Sequence, residues 1–356
     1  MYKKRIAVVG PCINMGGIER ASATMANFIS TQGHTTLYLA IFRHPRFFKL
    51  NPDIEYDEPL DGSNVTKLSL IKTIIRIRKK IIAFNPDAVL AYNKFYASLT
   101  LIALVGLRKK IIISERSSPL FRWKKNAAFI NKLATLLNPP AGVIAQTSVA
   151  FEHQYKYYGP KVKYKIIPNA LREVTLYPHV GRNKWILAVG RFADPLKGFD
   201  LLIEAFAKIK AQDWKLVFAG GDEDGEYLKE LSRELGVHEK IIYLGKVKEI
   251  DKVYAQAGIF VIPSRSEGFP NALCEAMAAG LPCISFDFVA GPRDIITDGV
   301  DGIIVENGNT DKLAAAIDDI ITDEPKRLLL MKNAPQISDR LKTENTAREV
   351  LDFILS

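Results

Sequence analysis

Ile259-Phe260-Val261-Ile262-Pro263-Ser264-Arg265-Ser266-Glu267-Gly268-Phe269-Pro270-Asn271-Ala272-Leu273-Cys274-Glu275-Ala276-Met277-Ala278-Ala279-Gly280 reads as a strand, a polar loop and a helix in immediate succession. The apolar run 259–262 fits a buried strand, Pro270 suits the first turn of a helix, and Gly280 suits its C-terminal stop. A second short apolar run, 283–286, follows at once. Strand, helix and parallel strand in that order form the repeating unit of doubly wound α/β sheets.

The same alternation extends in both directions. Candidate strands fall at 5–9, 36–40, 88–91, 110–114, 142–145, 165–167, 184–189, 215–219, 241–244, 259–262, 283–286 and 302–305. Helical patterns lie between most of them, among them 200–211, 226–235 and 311–321. That is too many strands for one sheet, and 356 residues exceed what a single core serves. The pattern loses its period over 172–183, where Tyr177-Pro178 and Gly181 precede a fresh strand. The expected organisation is therefore two facing Rossmann-like α/β domains with parallel sheets, 1–175 and 180–340, and a final helix at 345–356.

Composition narrows the class. No apolar run approaches the roughly 18–20 residues that span a bilayer. The basic start, residues 1–5, is followed by only four apolar residues before Gly10-Pro11, so it reads as a first strand and not as a signal peptide. Cys12, Cys274 and Cys283 form neither a C-x-x-C pair nor an even disulfide set, which fits a reducing, cytoplasmic compartment. The net charge of +10 is unevenly placed: residues 1–178 hold 27 Lys and Arg against 10 Asp and Glu, leaving 22 against 29 for the remainder. A basic half joined to an acidic half points to an anionic surface or phosphate-bearing substrate facing the first half alone, and argues against nucleic acid.

In open parallel sheets ligands bind beyond the carboxyl ends of the strands, so the loops after strands carry the chemistry. After 184–189 comes Gly190-Arg191-Phe192-Ala193-Asp194-Pro195-Leu196-Lys197-Gly198, two cations six residues apart. Arg offers a bidentate fork and Lys a point charge, a combination that suits a diphosphate. Two solvated surface cations would satisfy the same spacing. In the quoted stretch, the helix N-terminus opens after Glu267-Gly268-Phe269, where free N–H groups attract anions. Glu267 on the loop and Glu275 on the second turn suit acceptance of hydroxyl protons from a sugar or ribose; a cap and a helix-surface charge are the plainer alternatives.

These residues carry a resemblance. Glu267-x7-Glu275, Gly190-Arg191-Phe192-x4-Lys197-Gly198, Ile167-Pro168-Asn169-Ala170, Leu244-Gly245-Lys246-Val247 and Gly291-Pro292-Arg293-Asp294-Ile295-Ile296 occur here in one order. Together they resemble the retaining glycosyltransferases of family 4, with the GT-B fold. The resemblance implies that Arg191 and Lys197 bind the donor diphosphate, that Glu275 accepts from the nucleotide ribose, and that Glu267 contacts the transferred sugar. It places the backbone from Gly245 to Val247 at the base and that of Gly268, Phe269, Pro270, Asn271 and Ala272 at the sugar and phosphates. It sets Gly16 and Gly17, at a helix start in the first half, opposite those phosphates. It also implies that the C-terminal helix crosses back to the first domain. The nucleotide-sugar is a co-substrate, and neither a cofactor nor a metal is expected. Asp222-Glu223-Asp224 mimics the metal motif of the other large glycosyltransferase fold, but side-chain cations and helix N-termini neutralise the diphosphate in this one.

The first half is expected to hold the acceptor. No G-x-G-x-x-G follows its first strand, which weighs against a dinucleotide-dependent dehydrogenase. Many family members carry a His in the loop 114–119, where Arg116 stands here. An always-charged Arg is no general base, but with Arg20 it suits an acceptor phosphate; a salt bridge from Arg116 to Glu115 or another acid is the alternative. Basic stretches with apolar faces at 67–84 and 120–132 suit either an anionic membrane surface or ordinary packing with a solvated face.

The expected function is transfer of a sugar, favouring UDP-hexose or UDP-N-acetylhexosamine, to a glycan or polyprenyl-diphosphate-linked saccharide in cell-surface polysaccharide biosynthesis. The enzyme would lie peripherally on the inner face of the cell membrane. Two alternatives stand beside it: a sugar-nucleotide epimerase on the same fold, and a non-enzymatic basic protein binding membrane or nucleic acid. The five histidines, His34, His44, His153, His179 and His238, fall in no epimerase-like motif.

Overall fold

The computed structural model describes residues 2–60, 67–220 and 225–356. They form two compact units, Met1–Ala170 with Thr343–Ser356, and Leu171–Lys342. The boundary thus falls just ahead of the aperiodic stretch 172–183, because Leu171 already pairs its N–H with the Leu341 carbonyl of the second unit.

The first unit holds strands β1 (Arg5–Gly10), β2 (Thr35–Ala40), β3 (Glu55–Asp57), β4 (Ala88–Tyr92), β5 (Lys110–Ser114), β6 (Gly142–Ala145) and β7 (Lys163–Ile166). They form one parallel sheet in the order β3-β2-β1-β4-β5-β6-β7. Strand β3 is absent from the sequence reading. It is three residues long, two of them charged, an edge strand held by register with β2 instead of by an apolar run of its own.

Helices α1 (Gly17–Thr31), α2 (Lys67–Phe84), α3 (Lys94–Ala103), α4 (Lys125–Leu137) and α5 (Ser148–Tyr158) connect these strands. Alternation along β1 sends Ile6 and Val8 into one core layer and Ala7 and Val9 into the other, so both faces of the sheet are buried. The second layer is closed by Ile77, Ile81 and Phe84 of α2 and by α3.

In the second unit β8 (Trp185–Val189), β9 (Lys215–Ala219), β10 (Ile241–Tyr243), β11 (Ile259–Ile262), β12 (Cys283–Phe286) and β13 (Ile303–Val305) form a parallel sheet ordered β10-β9-β8-β11-β12-β13. The helices α6 (Phe199–Phe206), α7 (Glu226–Glu234), α8 (Ile250–Gln256), α9 (Asn271–Ala278) and α10 (Pro292–Ile295) lie between strands. Three more follow, α11 (Thr310–Thr322), α12 (Glu324–Asn333) and α13 (Ile337–Arg340). The α6 pattern read as 200–211 stops five residues early, where 207–211 closes into turns instead. The last helix, α14 (Thr343–Leu355), belongs to the first unit and adds Ala347, Val350, Leu351 and Ile354 to its α1-side core. Asp222-Glu223-Asp224 lies outside the described residues.

Candidate active site

Two loops at the carboxyl edge of the second sheet build the centre. After β8, Asp194 accepts the Leu196 N–H at 3.1 Å and receives the Arg191 guanidinium at 2.8 Å, winding Pro195–Lys197 into a single tight turn. Gly198 then takes a left-handed conformation, φ +64°, and a Cβ there would stand 2.0 Å from the Pro263 carbonyl oxygen. Only glycine lets the β8 loop touch the β11 loop this closely. Arg265 staples the two: its N–H donates to the Leu196 carbonyl at 2.8 Å, and its guanidinium donates to the Pro195 carbonyl at 2.9 Å and forks onto Asp200.

That stapling brings Lys197 to Glu267. Their Nζ and Oε1 are 2.8 Å apart, and the Ser264 hydroxyl donates to the same oxygen at 2.7 Å. Both side chains are largely shielded from solvent, so the pair is fixed in place and not a mobile surface contact. Arg191 behaves differently: its side chain is 74% exposed and, among the described residues, is held by Asp194 alone. The two cations therefore share a loop, with Lys197 anchored and Arg191 at the rim.

Glu275 occupies the second turn of α9, as its spacing indicates, but its partners lie elsewhere. It is 8% exposed. Arg172 donates to it at 3.0 and 3.2 Å, and the buried Tyr254 hydroxyl donates at 3.3 Å. Arg172 also grips Asp251, which accepts the Thr175 N–H at 2.9 Å. Burial works against the Asp251 carboxylate, but the Arg172 and Thr175 hydrogen bonds outweigh it and hold its pKa below the usual range. For Arg172 burial lowers the pKa, and the two acids more than reverse that. Glu275 is thus a buried charge with a fixed counter-ion, and not a helix-surface charge. Neither Arg172 nor Tyr254 stood out in the sequence; Arg172 lies in the aperiodic stretch, where no pattern marks a contact 103 residues away.

The rest of the loop completes the edge. Pro270 stands at the N-cap of α9, one position ahead of the expected first turn, and no side chain caps the helix there. Phe269 and Pro270 are buried, while Gly268, Asn271 and Ala272 are half-buried. Past β10, Gly245 has φ +61° and its carbonyl accepts the Gly220 N–H at 2.8 Å, while Val247 packs on the core.

In the first unit, Gly16 caps α1 without a side-chain bond, and Glu19 folds back over it; a Cβ on Gly16 would meet Glu19 Oε2 at 2.1 Å. Burial raises the Glu19 pKa, with its own N–H and His44 opposing. Gly17 is exposed at the first helical position and Arg20 is half-buried one turn on. Arg116 makes no salt bridge with Glu115. That carboxylate accepts the N–H groups of Arg116 and Ser117 at 3.1 and 3.0 Å, capping the loop instead. The Arg116 guanidinium lies 5.3 Å from the Tyr92 ring centroid, donates to Ser114 Oγ at 3.0 Å, and has a buried Nη1 with no hydrogen-bond partner among the described residues.

Residues 177–337 match the model of the glycosyl transferases group 1 family. The second unit is a group 1 glycosyl transferase domain. The chain is accordingly an enzyme of the transferase class, and its two parallel-sheet units have the GT-B fold. This glycosyltransferase is 24% identical over 98% of its length, and 98% of the relative's, to a Campylobacter jejuni α-1,4-N-acetylgalactosaminyltransferase named for an undecaprenol-diphosphate-linked saccharide. It is 25% identical to the lipopolysaccharide 1,6-galactosyltransferase of Salmonella typhimurium, over 90% of this chain and 91% of that one. Among solved structures, HepE of Anabaena in complex with UDP and glucose superposes with a TM-score of 0.81 at 18% identity, covering 99% of this chain and all of that one.

Proposed function

We propose that this glycosyltransferase retains configuration at the anomeric carbon and takes its sugar from a UDP-hexose or UDP-N-acetylhexosamine. Its acceptor is a glycan or a polyprenyl-diphosphate-linked saccharide of a cell-surface polysaccharide, reached at the inner face of the membrane with the enzyme bound peripherally through its basic unit. The observation that carries the donor reading is the shielded Lys197–Glu267 pair, held where two strand-end loops are stapled together. Support for the acceptor comes from the relatives, whose names specify a polyprenyl-diphosphate saccharide and a lipopolysaccharide.

In this reading the bond from C1 to the diphosphate breaks with its electrons passing to the leaving group. The acceptor oxygen bonds C1 on the same face, and its proton passes to the departing diphosphate. Lys197 supplies a fixed positive charge beside that leaving group, and Arg191 at the rim adds a second as the donor enters. Preorganised charge of this kind is the largest catalytic contribution in group transfer, about 3–4 kcal/mol per interaction. Glu267, which also holds Lys197, is assigned to a sugar hydroxyl, and Glu275 to the ribose. Arg116 and Arg20 are assigned to the acceptor's phosphate.

Thermal unfolding with UDP, ADP, GDP and UDP-sugars tests the donor. Only uridine nucleotides should raise the midpoint, by mass action on the folded state. Lys197→Ala should abolish that rise and cut transfer at least a hundredfold while far-UV circular dichroism stays unchanged. Absence of any uridine-dependent shift, or near-normal turnover in the variant, overturns the assignment. Proton NMR of the product reads the anomeric configuration directly.

A further inference from the structure

Helix α4 is patterned inside out. The residues it buries are Asn131 and Ala134, and both amide atoms of Asn131 lack hydrogen-bond partners among the described residues. Its outward stripe is apolar at helical spacing: Phe129 is 67% exposed, Leu133 36%, Leu136 79% and Leu137 52%. Leu120 and Phe121 continue the exposed apolar surface on the segment leading into the helix. Surface helices of globular proteins place such stripes against the core, and contiguous exposed apolar patches mark an interaction surface.

The charge around the stripe selects its partner. No acidic residue occurs between Glu115 and Glu152, and Arg122, Lys124, Lys125 and Lys132 are all exposed. None of these four forms an ion pair among the described residues. Helix α2, the other basic stretch, is different: Arg76 and Lys80 are engaged by Asp57, and Arg78 donates to the carbonyls of Ala103 and Val105. Those three cations are held within the unit, so although α2 also exposes Ile71, Ile75 and Ile82, half of its positive charge serves packing. Pairing α4 with its own copy would set like charges together with no acid to offset them.

We infer that the surface from Leu120 to Leu137 inserts into an anionic lipid bilayer, Phe121, Phe129, Leu133 and Leu136 entering the acyl boundary while Arg122, Lys124, Lys125 and Lys132 contact headgroups. The inference rests on the peripheral-membrane reading above and assigns it to one element. Apolar burial and cations near lipid add in this geometry, and neither alone anchors stably. Trp123, half-buried and stacked on Phe95 at 6.3 Å, lies at the rim where an indole reports insertion.

Flotation with vesicles of phosphatidylethanolamine and phosphatidylglycerol, against phosphatidylcholine alone, tests it on the full chain. Wild type should float only with the anionic vesicles and show a blue shift of tryptophan emission that Trp123→Phe removes. The pair Phe129→Ser with Leu136→Ser should lower the vesicle-bound fraction at least tenfold, and Ile75→Ser with Ile82→Ser on α2 should leave it unchanged. Equal flotation of the α4 variant, equal loss in the α2 variant, or concentration-dependent dimerisation that the α4 variant alone abolishes overturns the inference. The UDP-dependent thermal shift, measured on the same variants, stays intact if only membrane docking is lost. Failure of the donor reading shows instead as no shift in wild type.

Discussion

Gly198 decides whether the β8 and β11 loops meet. Its φ of +64° disfavours any side chain, and the Pro263 carbonyl fills the place of a Cβ. Gly198→Ala therefore combines left-handed strain with overpacking, and a loss of about 2–4 kcal/mol is expected in chemical denaturation of the second unit. Because Lys197 is the preceding residue, UDP affinity should fall as well; an alanine variant as stable and as tight as wild type would contradict the stapled geometry. The sequence shows a glycine after a lysine at this position, but not the carbonyl that requires it, since Pro263 lies 65 residues further along. Glu275 teaches the same lesson: its helical position was readable, whereas Arg172, Tyr254 and the shared Asp251 were not. Salt-bridge partners are chosen by the fold's geometry, and no local periodicity announces them.

At the scale of elements, Arg265 and Asp200 join the β11 loop to the start of α6. Burial raises the Asp200 pKa, but the Arg265 hydrogen bond and charge, with the α6 N-terminal amides, bring it below the usual value. A carboxylate with a depressed folded pKa stabilises above its unfolded value of about 4, and that contribution disappears as pH falls through the folded pKa. The stability gap between wild type and Asp200→Asn should thus be full above about pH 5 and close steadily below 4. Denaturation midpoints measured from pH 7 to 2 give the test, and a gap independent of pH would remove the ion pair from the account. The strands β8, β9, β11 and β12 were legible because central parallel strands are buried on both faces and read as continuous apolar runs. Strand β3 and the end of α6 were not, because edge pairing and turn closure leave no such run. Helices α2 and α4 look alike in sequence, both basic and apolar at three- and four-residue steps. Their difference appears only in which cations meet Asp57 and the carbonyls of 103 and 105.

Across the whole molecule, the chain returns to its first unit to finish that unit's core. Leu351 and Ile354 of α14 are 4% and 0% exposed among residues from β1, β4 and α1. Leu351→Ala should destabilise the first unit by about 2–4 kcal/mol through the cavity left behind. Hydrogen exchange of β1 and β4 amides should accelerate accordingly, while amides of β8 and β11 keep their protection; uniform acceleration in both units would show that the two cores do not respond separately. The sequence by itself determined the alternating α/β architecture, the division into two parallel-sheet units, and the loops that carry Arg191, Lys197, Glu267 and Glu275. Those features are local: strand and helix periods, turn residues and motif spacing are written within a few tens of residues. Only the tertiary structure decided that Lys197 is gripped by Glu267, that Glu275 is neutralised by Arg172, and that Glu115 caps its own loop and leaves Arg116 to Tyr92 and Ser114. It also decided that α4 turns its apolar stripe outward. Each depends on which distant surfaces come into contact, and hydrophobic burial, being non-directional, fixes those contacts only through the packing of the complete chain.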